Sequence, residues 1–430
     1  MTPRPSGRGV LVSEHPWRSA LLITPWQRLL RVLTRKDLLS LCLMIFTADT
    51  VAGIIAPNFA LYATGIGATM ALVGLLTAVE GLSRIVVSVP IGMLSDRQGR
   101  KPVLIVGMLL FGLASLGYTL APNAYWLLPM KALVGVAMVS TFFMGMAYIG
   151  DTVAGDDRGM AIGLYATFMG SGFALGSAIG GGASARWGFE GSYYLAAGIA
   201  ALGAGIAAWG LQSKPTGQAR AATTGRTAGA DAWALLTGSK PLLAASVANL
   251  CNNMWYSGLV ASFFAVYAAE LGISTAAIGS MFALRAVMST AARLPTGLVS
   301  GRLSARRLMV IALGLAAAAI IGIQSTGSAP LLTALLALEG VAYGMFLTSG
   351  QAFVTHQFSD ELRGTAVGVY STAGGIGSTG GPFLLGLIAQ VWGLRPVFWA
   401  MAGLIAIGIG VVLAITDQTP ALQEEVAHAS

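Results

Sequence analysis

Residues 158–172 read RGMAIGLYATFMGSG, and residues 363–377 read RGTAVGVYSTAGGIG. The arginine, the tyrosine and most of the glycines recur at the same places, 205 positions apart. That one offset extends without a gap. Gly53, Phe59, Tyr62, Gly67 and Gly74 meet Gly258, Phe264, Tyr267, Gly272 and Gly279. Pro90, Gly92, Ser95 and Arg97 meet Pro295, Gly297, Ser300 and Arg302; Gly135 meets Gly340; Trp187-Gly188 meets Trp392-Gly393. A constant register over such a length marks a duplicated unit. The chain is read as two homologous halves.

Composition says what kind of unit is duplicated. Of 430 residues, 55% are hydrophobic and only 10% charged, against about 25% charged in a soluble domain. Stretches 103–122, 241–269, 308–338 and 396–416 contain no Asp, Glu, Lys or Arg, and each reaches the roughly 20 residues that cross a bilayer as helix. The expectation is an all-α membrane protein of twelve spans, near 38–62, 70–94, 102–121, 125–150, 158–186, 190–212, 241–268, 275–299, 306–325, 330–355, 363–391 and 394–416. The 57 glycines fit it, because small residues let helices approach closely in lipid. The organisation is a basic tail (1–37), a six-helix half (38–212), a polar Gly/Thr/Ala linker (213–240), a second six-helix half (241–416) and a tail (417–430). An even number of spans per half keeps the halves parallel about an axis along the membrane normal. Secondary transporters of that kind bind substrate near the midplane and rock one half against the other.

The net charge of +8 invites a nucleic-acid reading, which its distribution removes. Outside the spans, nineteen basic residues fall on one side and two, Arg186 and Arg395, on the other. The excess is a topology signal that puts both termini in the cytoplasm of an inner-membrane protein. The tail stretch WRSALLITPWQRLLRVLTRK (17–36) reads either as an interfacial amphipathic helix or as a basic topogenic tail. The first apolar run, beginning near Leu38, reads as a retained span rather than a cleaved signal. Cys42 and Cys251 lie within spans, where a disulfide is not expected. The histidines His15, His356 and His428 form no metal or catalytic pattern, and no Gly-rich loop is followed by the Lys-Ser/Thr of a nucleotide site. No enzyme activity and no cofactor are expected, so the energy source is an ion or substrate gradient, a proton gradient first.

Residues 91–105, IGMLSDRQGRKPVLI, crowd charge between two apolar runs. Gly92, Leu94, Asp96, Arg97, Gly99, Arg100 and Lys101 match the loop G-x-L-x-D-R-x-G-R-K between helices 2 and 3 of the major facilitator superfamily. The chain resembles that family from about Leu38 to Ile415. The second copy reads GLVSGRLSARR (297–307), with Gly301 in place of the acid and Ala305 in place of the second glycine. Helix 5 resembles the antiporter motif G-x-x-x-G-P-x-x-G-G through Gly172, Gly176, Gly180 and Gly181. Ser177 stands for its proline, while Gly377, Gly381 and Pro382 occupy the matching places in helix 11. Lys131 to Gly135 stands where relatives carry R-x-x-x-G; lysine keeps the charge without the guanidinium fork. The resemblance implies alternating access, glycine-mediated helix packing and a cytoplasmic gate. In that gate Asp96 faces the start of helix 11 near Gly364 and Thr365, Arg100 reaches Asp151, and Gly99 makes the turn. The contacts would break when the transporter opens inward.

Ionisable groups within spans are costly and are functional candidates by default. They are Asp49, Glu80, Arg84, Lys131, Arg285, Arg293 and Glu339. Family geometry lines the cavity with helices 1, 4, 7 and 10, which singles out Asp49, Lys131 and Glu339. Asp49, near mid-bilayer, is read as the proton-coupling carboxyl or as a structural hydrogen bond to helix 4 or 7. Glu339 is a second coupling candidate or a salt bridge to Lys131 or Arg285. Glu80 and Arg84, spaced i, i+4, read as a structural pair on one face or as substrate contacts, and Arg293 as a residue that snorkels toward the cytoplasm. The cluster NLCNNMWYSG (249–258) offers Asn252, Asn253, Trp255 and Tyr256 as a substrate wall, with Tyr343, Phe346 and the Met and Phe residues of helix 4 as apolar lining or plain packing.

The leading expectation is a monomeric, proton-coupled exporter of small lipophilic or cationic compounds. The alternative is a symporter or facilitator importing an organic solute, suited to an anion by four basic residues against three acids in the spans. A third reading, a non-transporting receptor built on the same fold, is disfavoured by the intact 91–105 loop.

Overall fold

The computed structural model describes residues 34–153, 157–213, 234–300 and 302–414; the expected linker core and both tails lie outside them. Among the described residues there are helices and no strands. In the first half these are α1 (Lys36–Gly65), α2 (Met70–Gln98), α3 (Arg100–Thr119), α4 (Ala124–Thr152), and a long run, Asp157–Gly210, divided at Gly188 into α5 and α6. The second half holds α7 (240–270), α8 (Thr275–Val299), α9 (Ala305–Gln324), α10 (Ala329–Gln357), α11 (Asp360–Trp392) and α12 (Leu394–Ala414). Nine of the helices, with Asp157–Gly210 taken as one, are long and apolar enough to cross a membrane. Two others fall short for visible reasons: α7 is interrupted after 16 residues, and α11 is diluted by Gly, Ser and Thr.

The repeat is carried into backbone detail. Between α1 and α2, Gly67 at φ 91° ends the helix and the Ala68 amide reaches back to the Ala63 carbonyl at 2.9 Å; Thr69 then caps α2 on the Leu72 amide. Between α7 and α8 the same turn is made by Gly272 at φ 78°, by Ile273 to Ala268 at 3.1 Å, and by Ser274 on Ala277. This is a C-terminal glycine cap followed directly by an N-cap. The stretches 158–172 and 363–377 serve one purpose twice. Arg158 donates to the Gly150 carbonyl at 2.7 Å and Arg363 to the equivalent Thr355 carbonyl at 3.1 Å. Each satisfies an orphan carbonyl at the end of the preceding helix. Tyr165 and Tyr370 set their hydroxyls against Gly145 and Gly350, where a β-carbon would collide with them.

The glycines of α5 and α11 close the packing. A β-carbon on Gly172 or Gly176 would strike the carbonyl of Phe46 or Thr50 on α1, and one on Gly377 or Gly381 that of Leu250 or Met254 on α7. Gly180 lies against Ile54 and Asn58. The copies differ at the loop after α2. Gly99, at φ 90°, breaks the chain between α2 and α3. At constant register its counterpart is Ser304, which caps α9 on the Arg307 amide; Ala305, expected to stand for the glycine, takes the place of Arg100. With an N-cap, the second copy needs no left-handed residue there.

The halves meet at one end and part at the other. Toward the α1–α2 turn, Gly74 of α2 abuts Pro382 and Gly386 of α11, and Gly181 of α5 abuts Thr275 and Gly279 of α8. The Ser262 hydroxyl on α7 lies 3.2 Å from that of Thr77 on α2. Toward the 91–105 loop, Gly159 and Gly163 of α5 and Gly364 and Gly368 of α11 face open space. Contacts of glycines with the opposite half run from the first end as far as Gly170 on Thr290 and Gly375 on Ile85, and none of the described glycines nearer the 91–105 loop makes one. The structure is thus closed at the first end and open at the second.

Candidate functional site: two ion pairs and three uncompensated charges

Helices α2 and α8 carry charge along matched stripes. Residues 80, 84 and 88 of α2 are spaced by four, as are residues 285, 289 and 293 of α8, so each set lies along one helix face. The occupants are Glu80, Arg84 and Ser88 in one and Arg285, Ser289 and Arg293 in the other.

At the first position of each stripe the charge is neutralised by the helix packed beside it. Glu80 accepts from Lys131 Nζ of α4 at 2.8 Å, and the ammonium also lies 3.8 Å from the Phe59 ring centroid. Arg285 grips Glu339 of α10 with two nitrogens: Nη2 to Oε1 at 2.9 Å, and Nε to Oε2. This is the bidentate geometry that a guanidinium provides and a lysine cannot. Both pairs are buried, Arg285–Glu339 more deeply, at 4% and 0% side-chain exposure against 7% and 13% for Lys131–Glu80. Gly135 and Gly340 admit the close approach, each set against the carbonyl of the charged residue on the neighbouring helix, Glu80 or Arg285. The signs are exchanged between halves, and the partners are not repeat equivalents: Lys131 corresponds to Leu336 and Glu339 to Val134.

One sequence expectation is corrected here, and one is resolved in favour of a stated alternative. Glu80 does not pair with Arg84; the i, i+4 spacing puts both on one face, but that face lies on α4, where Lys131 is nearer. Glu339 pairs with Arg285, and Lys131 is already taken.

What remains is Asp49 on α1, Arg84 on α2 and Arg293 on α8. None makes a hydrogen bond or ion pair among the described residues. Asp49 is 9% exposed and lies within electrostatic reach of Arg293, Tyr165 and Tyr256. Arg293 keeps its Nε buried and unpartnered. Arg84 is half-buried and within electrostatic reach of Glu80 and Tyr256.

Two tyrosines lie among these charges. Tyr256 of α7 and Tyr343 of α10 stack with centroids 4.5 Å apart, and the Arg285 guanidinium lies over both rings at 4.5 and 5.0 Å. Both are half-buried, as is Asn253, whose amide donates to the Asn249 carbonyl and side-chain oxygen at 2.9 Å. Trp255 and Asn252, expected beside them, are packed behind: Trp255 is fully buried, sits edge-on to Tyr343 and donates to Asn252 Oδ1 at 3.3 Å. Helical geometry turns adjacent residues about 100° apart, so the cluster cannot all face one way. Phe346 is likewise fully buried. Asn249, not singled out from the sequence, ties α7 to α11 through the Tyr370 carbonyl at 2.8 Å.

Helices α4 and α7 each contain a π turn, Val139–Phe143 and Tyr256–Val260. Such turns are frequent at functional sites. That in α4 carries the carbonyl of Phe142 to which Tyr165 donates at 3.0 Å, while Tyr370, facing an α10 without a π turn, has no partner.

At the open end, Arg100 gathers the 91–105 loop. Its guanidinium meets Asp96 at 2.7 Å, Asp151 of α4 at 2.9 Å and the Ser95 hydroxyl at 3.0 Å. All belong to the first half, and the bridge is intact while this end is open. Arg97 and Lys101 flank it; Gly92 faces open space.

The chain is thus a bundle of two like halves, each burying an ion pair among apolar helices long enough to cross a membrane. The comparisons are specific. The Major Facilitator Superfamily profile matches residues 41–267 and again 246–429; the chain belongs to that family. It is 22% identical over 379 residues to an uncharacterized MFS-type transporter of Methanocaldococcus jannaschii, covering 88% of this chain and 97% of that one. It is 28% identical over 148 residues to the quinolone resistance protein NorA of Staphylococcus aureus, 34% of this chain and 38% of NorA. Among solved structures, a bacterial homolog of the human lysosomal transporter Spinster, in an inward-facing and occupied conformation, superposes with TM-score 0.74 at 16% identity, covering 93% of this chain and 97% of that one. The nucleoside transporter NupG does so with TM-score 0.75 at 16% identity, covering 88% and 98%.

Proposed function

We propose that the chain is a proton-coupled secondary transporter of small organic molecules. It crosses a cell membrane twelve times with both termini in the cytoplasm, works as a monomer, and alternates closure between its two ends. The observation that carries this reading is Asp49: a carboxyl deep in α1 with neither ion-pair nor hydrogen-bond partner among the described residues, while the other two intramembrane carboxylates are held by Lys131 and Arg285. A buried group free of a fixed partner can exchange a proton; one locked in a bidentate pair cannot without breaking it.

The bias of basic residues supports the orientation, which makes the open end cytoplasmic. Arg100, Asp96 and Asp151 then act as a brace within the first half that moves with it, rather than a latch broken on opening. Export of lipophilic compounds is supported by the name of NorA and by the aromatic wall of Tyr256 and Tyr343. A second reading, proton-linked uptake of an organic anion, is favoured by a specific feature: Asp49 stands against two uncompensated arginines.

The test is transport in proteoliposomes, with a substrate drawn from paired resistance and uptake screens. Asp49→Asn is expected to abolish accumulation driven by a pH gradient while sparing exchange between substrate pools. Full gradient-driven transport by that variant would remove Asp49 from the coupling.

A further inference from the structure

We propose that the substrate of this site is an organic monoanion with an aromatic or lipophilic body, held between Arg84 of the first half and Arg293 of the second beside the Tyr256–Tyr343 pair. The inference rests on the proton-coupling role of Asp49 and goes beyond it in fixing the sign of the substrate's charge and of its coupling to the proton.

The protein leaves charge within the bundle unbalanced. Within the bundle four cationic side chains stand against three carboxylates, and two of the carboxylates are committed to Lys131 and Arg285. Asp49 can offset Arg293, and Arg84 shares Glu80 with Lys131, which leaves one positive charge in excess. An uncompensated guanidinium can be tolerated in a half-open cleft, but becomes costly when the cleft closes and water leaves. A bound anion removes that cost, so closure around an anion is favoured and closure on an empty site is not. A bound cation would meet the opposite balance.

Position supports the assignment. On α8, Arg293 is two turns beyond Arg285 toward the open end, about 12 Å along the axis at 1.5 Å per residue. On α2, Arg84 is one turn beyond Glu80 in the same direction. A ligand entering from the open end passes Arg293, then Arg84, and reaches the rings of Tyr256 and Tyr343, whose upper faces are set by Arg285. Because the two arginines belong to different halves, an anion between them joins the halves at the step that must be substrate-dependent. Guanidiniums grip carboxylates, sulfonates and phosphates alike; the aromatic pair beside them selects an apolar body behind that head.

The sign of coupling follows. Asp49 faces Arg293 from α8, Tyr165 from α5 and Tyr256 from α7, so its charge competes with the ligand's for Arg293. A proton on Asp49 removes that competition and strengthens anion binding, and the anion strengthens proton binding by the same factor. Proton and anion travel together, which is symport; a cation would displace the proton, which is antiport. The uptake reading is therefore the one this site favours.

The experiment uses purified full-length protein and three probes of one shape: naphthoate, naphthamide and naphthylmethylammonium. Binding is read by probe fluorescence across the pH range in which naphthoate stays ionised. Naphthoate is expected to bind best, and more tightly as pH falls. Arg293→Gln and Arg84→Gln should each weaken naphthoate by roughly tenfold to a hundredfold, the loss of a charge-assisted contact, and leave naphthamide within about twofold; Arg293→Lys should restore part of the loss. Tighter binding of naphthylmethylammonium, or equal losses of naphthoate and naphthamide, would overturn the anion site. Asp49→Asn separates the two layers. If it binds naphthoate independently of pH, both hold; if the pH dependence survives while the arginine variants lose naphthoate, the anion site stands and the coupling role of Asp49 fails.

Discussion

Glu339→Leu is the sharpest perturbation of the packed interior. The Glu339 side chain is wholly buried and that of Arg285 is 4% exposed, so the substitution leaves a guanidinium in the bundle without a countercharge. Removing one partner of a buried pair costs about 3–5 kcal/mol. The rings of Tyr256 and Tyr343 lie over Arg285 before and after the change, so they do not offset the difference. Converted at the scale of a half-domain, the loss lowers the melting temperature by about 10 °C. The double variant Arg285→Met with Glu339→Leu removes both charges and leaves apolar side chains, which is expected to be close to neutral, within about 1 kcal/mol. A double-mutant cycle by denaturant titration in mixed micelles should thus give a coupling of at least about 2 kcal/mol. A single variant as stable as the parent, or a double variant as unstable as the single, would refute the reasoning. The parallel cycle at Glu80 and Lys131, a more exposed pair, should show a smaller coupling.

Gly176→Val and Gly381→Val should each destabilise by at least about 1–3 kcal/mol through overpacking, since a β-carbon meets the Thr50 or Met254 backbone; Gly182→Ala, which meets nothing within 4 Å, should be silent in the same thermal assay. Gly188→Ala and Gly393→Ala, at φ 75° and 82°, should cost about 1–3 kcal/mol each for backbone strain alone, read as equal shifts because the turn is the same in both halves. Ser262→Ala removes the hydrogen bond to Thr77 across the closed end; a loss of about 1 kcal/mol should shift the population roughly fivefold toward opening there, measured as faster labelling of cysteines introduced beside it. Arg100→Ala should change stability by no more than about 1 kcal/mol, because Asp96 and Asp151 are both about two-fifths exposed and such pairs are worth little, yet raise hydrogen exchange at the adjoining ends of α2, α3 and α4.

The duplication, the helices and their ends are legible in the linear chain because they rest on local chemistry. A glycine at φ 91° followed by a threonine cap ends one helix and begins the next wherever it stands, and the repeat shows it twice. The glycines of α5 and α11 were legible as packing surfaces for the same reason: a missing side chain has one use at a crossing. The charged residues were legible as special through their cost in lipid, but their pairing was not. Spacing places Glu80 and Arg84 on one face of α2; it does not say that Lys131 of α4 lies against that face, 2.8 Å away. The cluster at 249–258 shows a similar limit, since only the packed bundle leaves Tyr256 half-buried under Arg285 and buries Trp255 behind Tyr343. The sequence by itself determined a duplicated helical bundle that crosses a membrane and buries seven charges, because hydropathy, caps and glycine act over a few residues. Only the tertiary structure decided which four of those charges cancel and which three stay free, because an ion pair depends on distances between helices that no spacing along one helix contains.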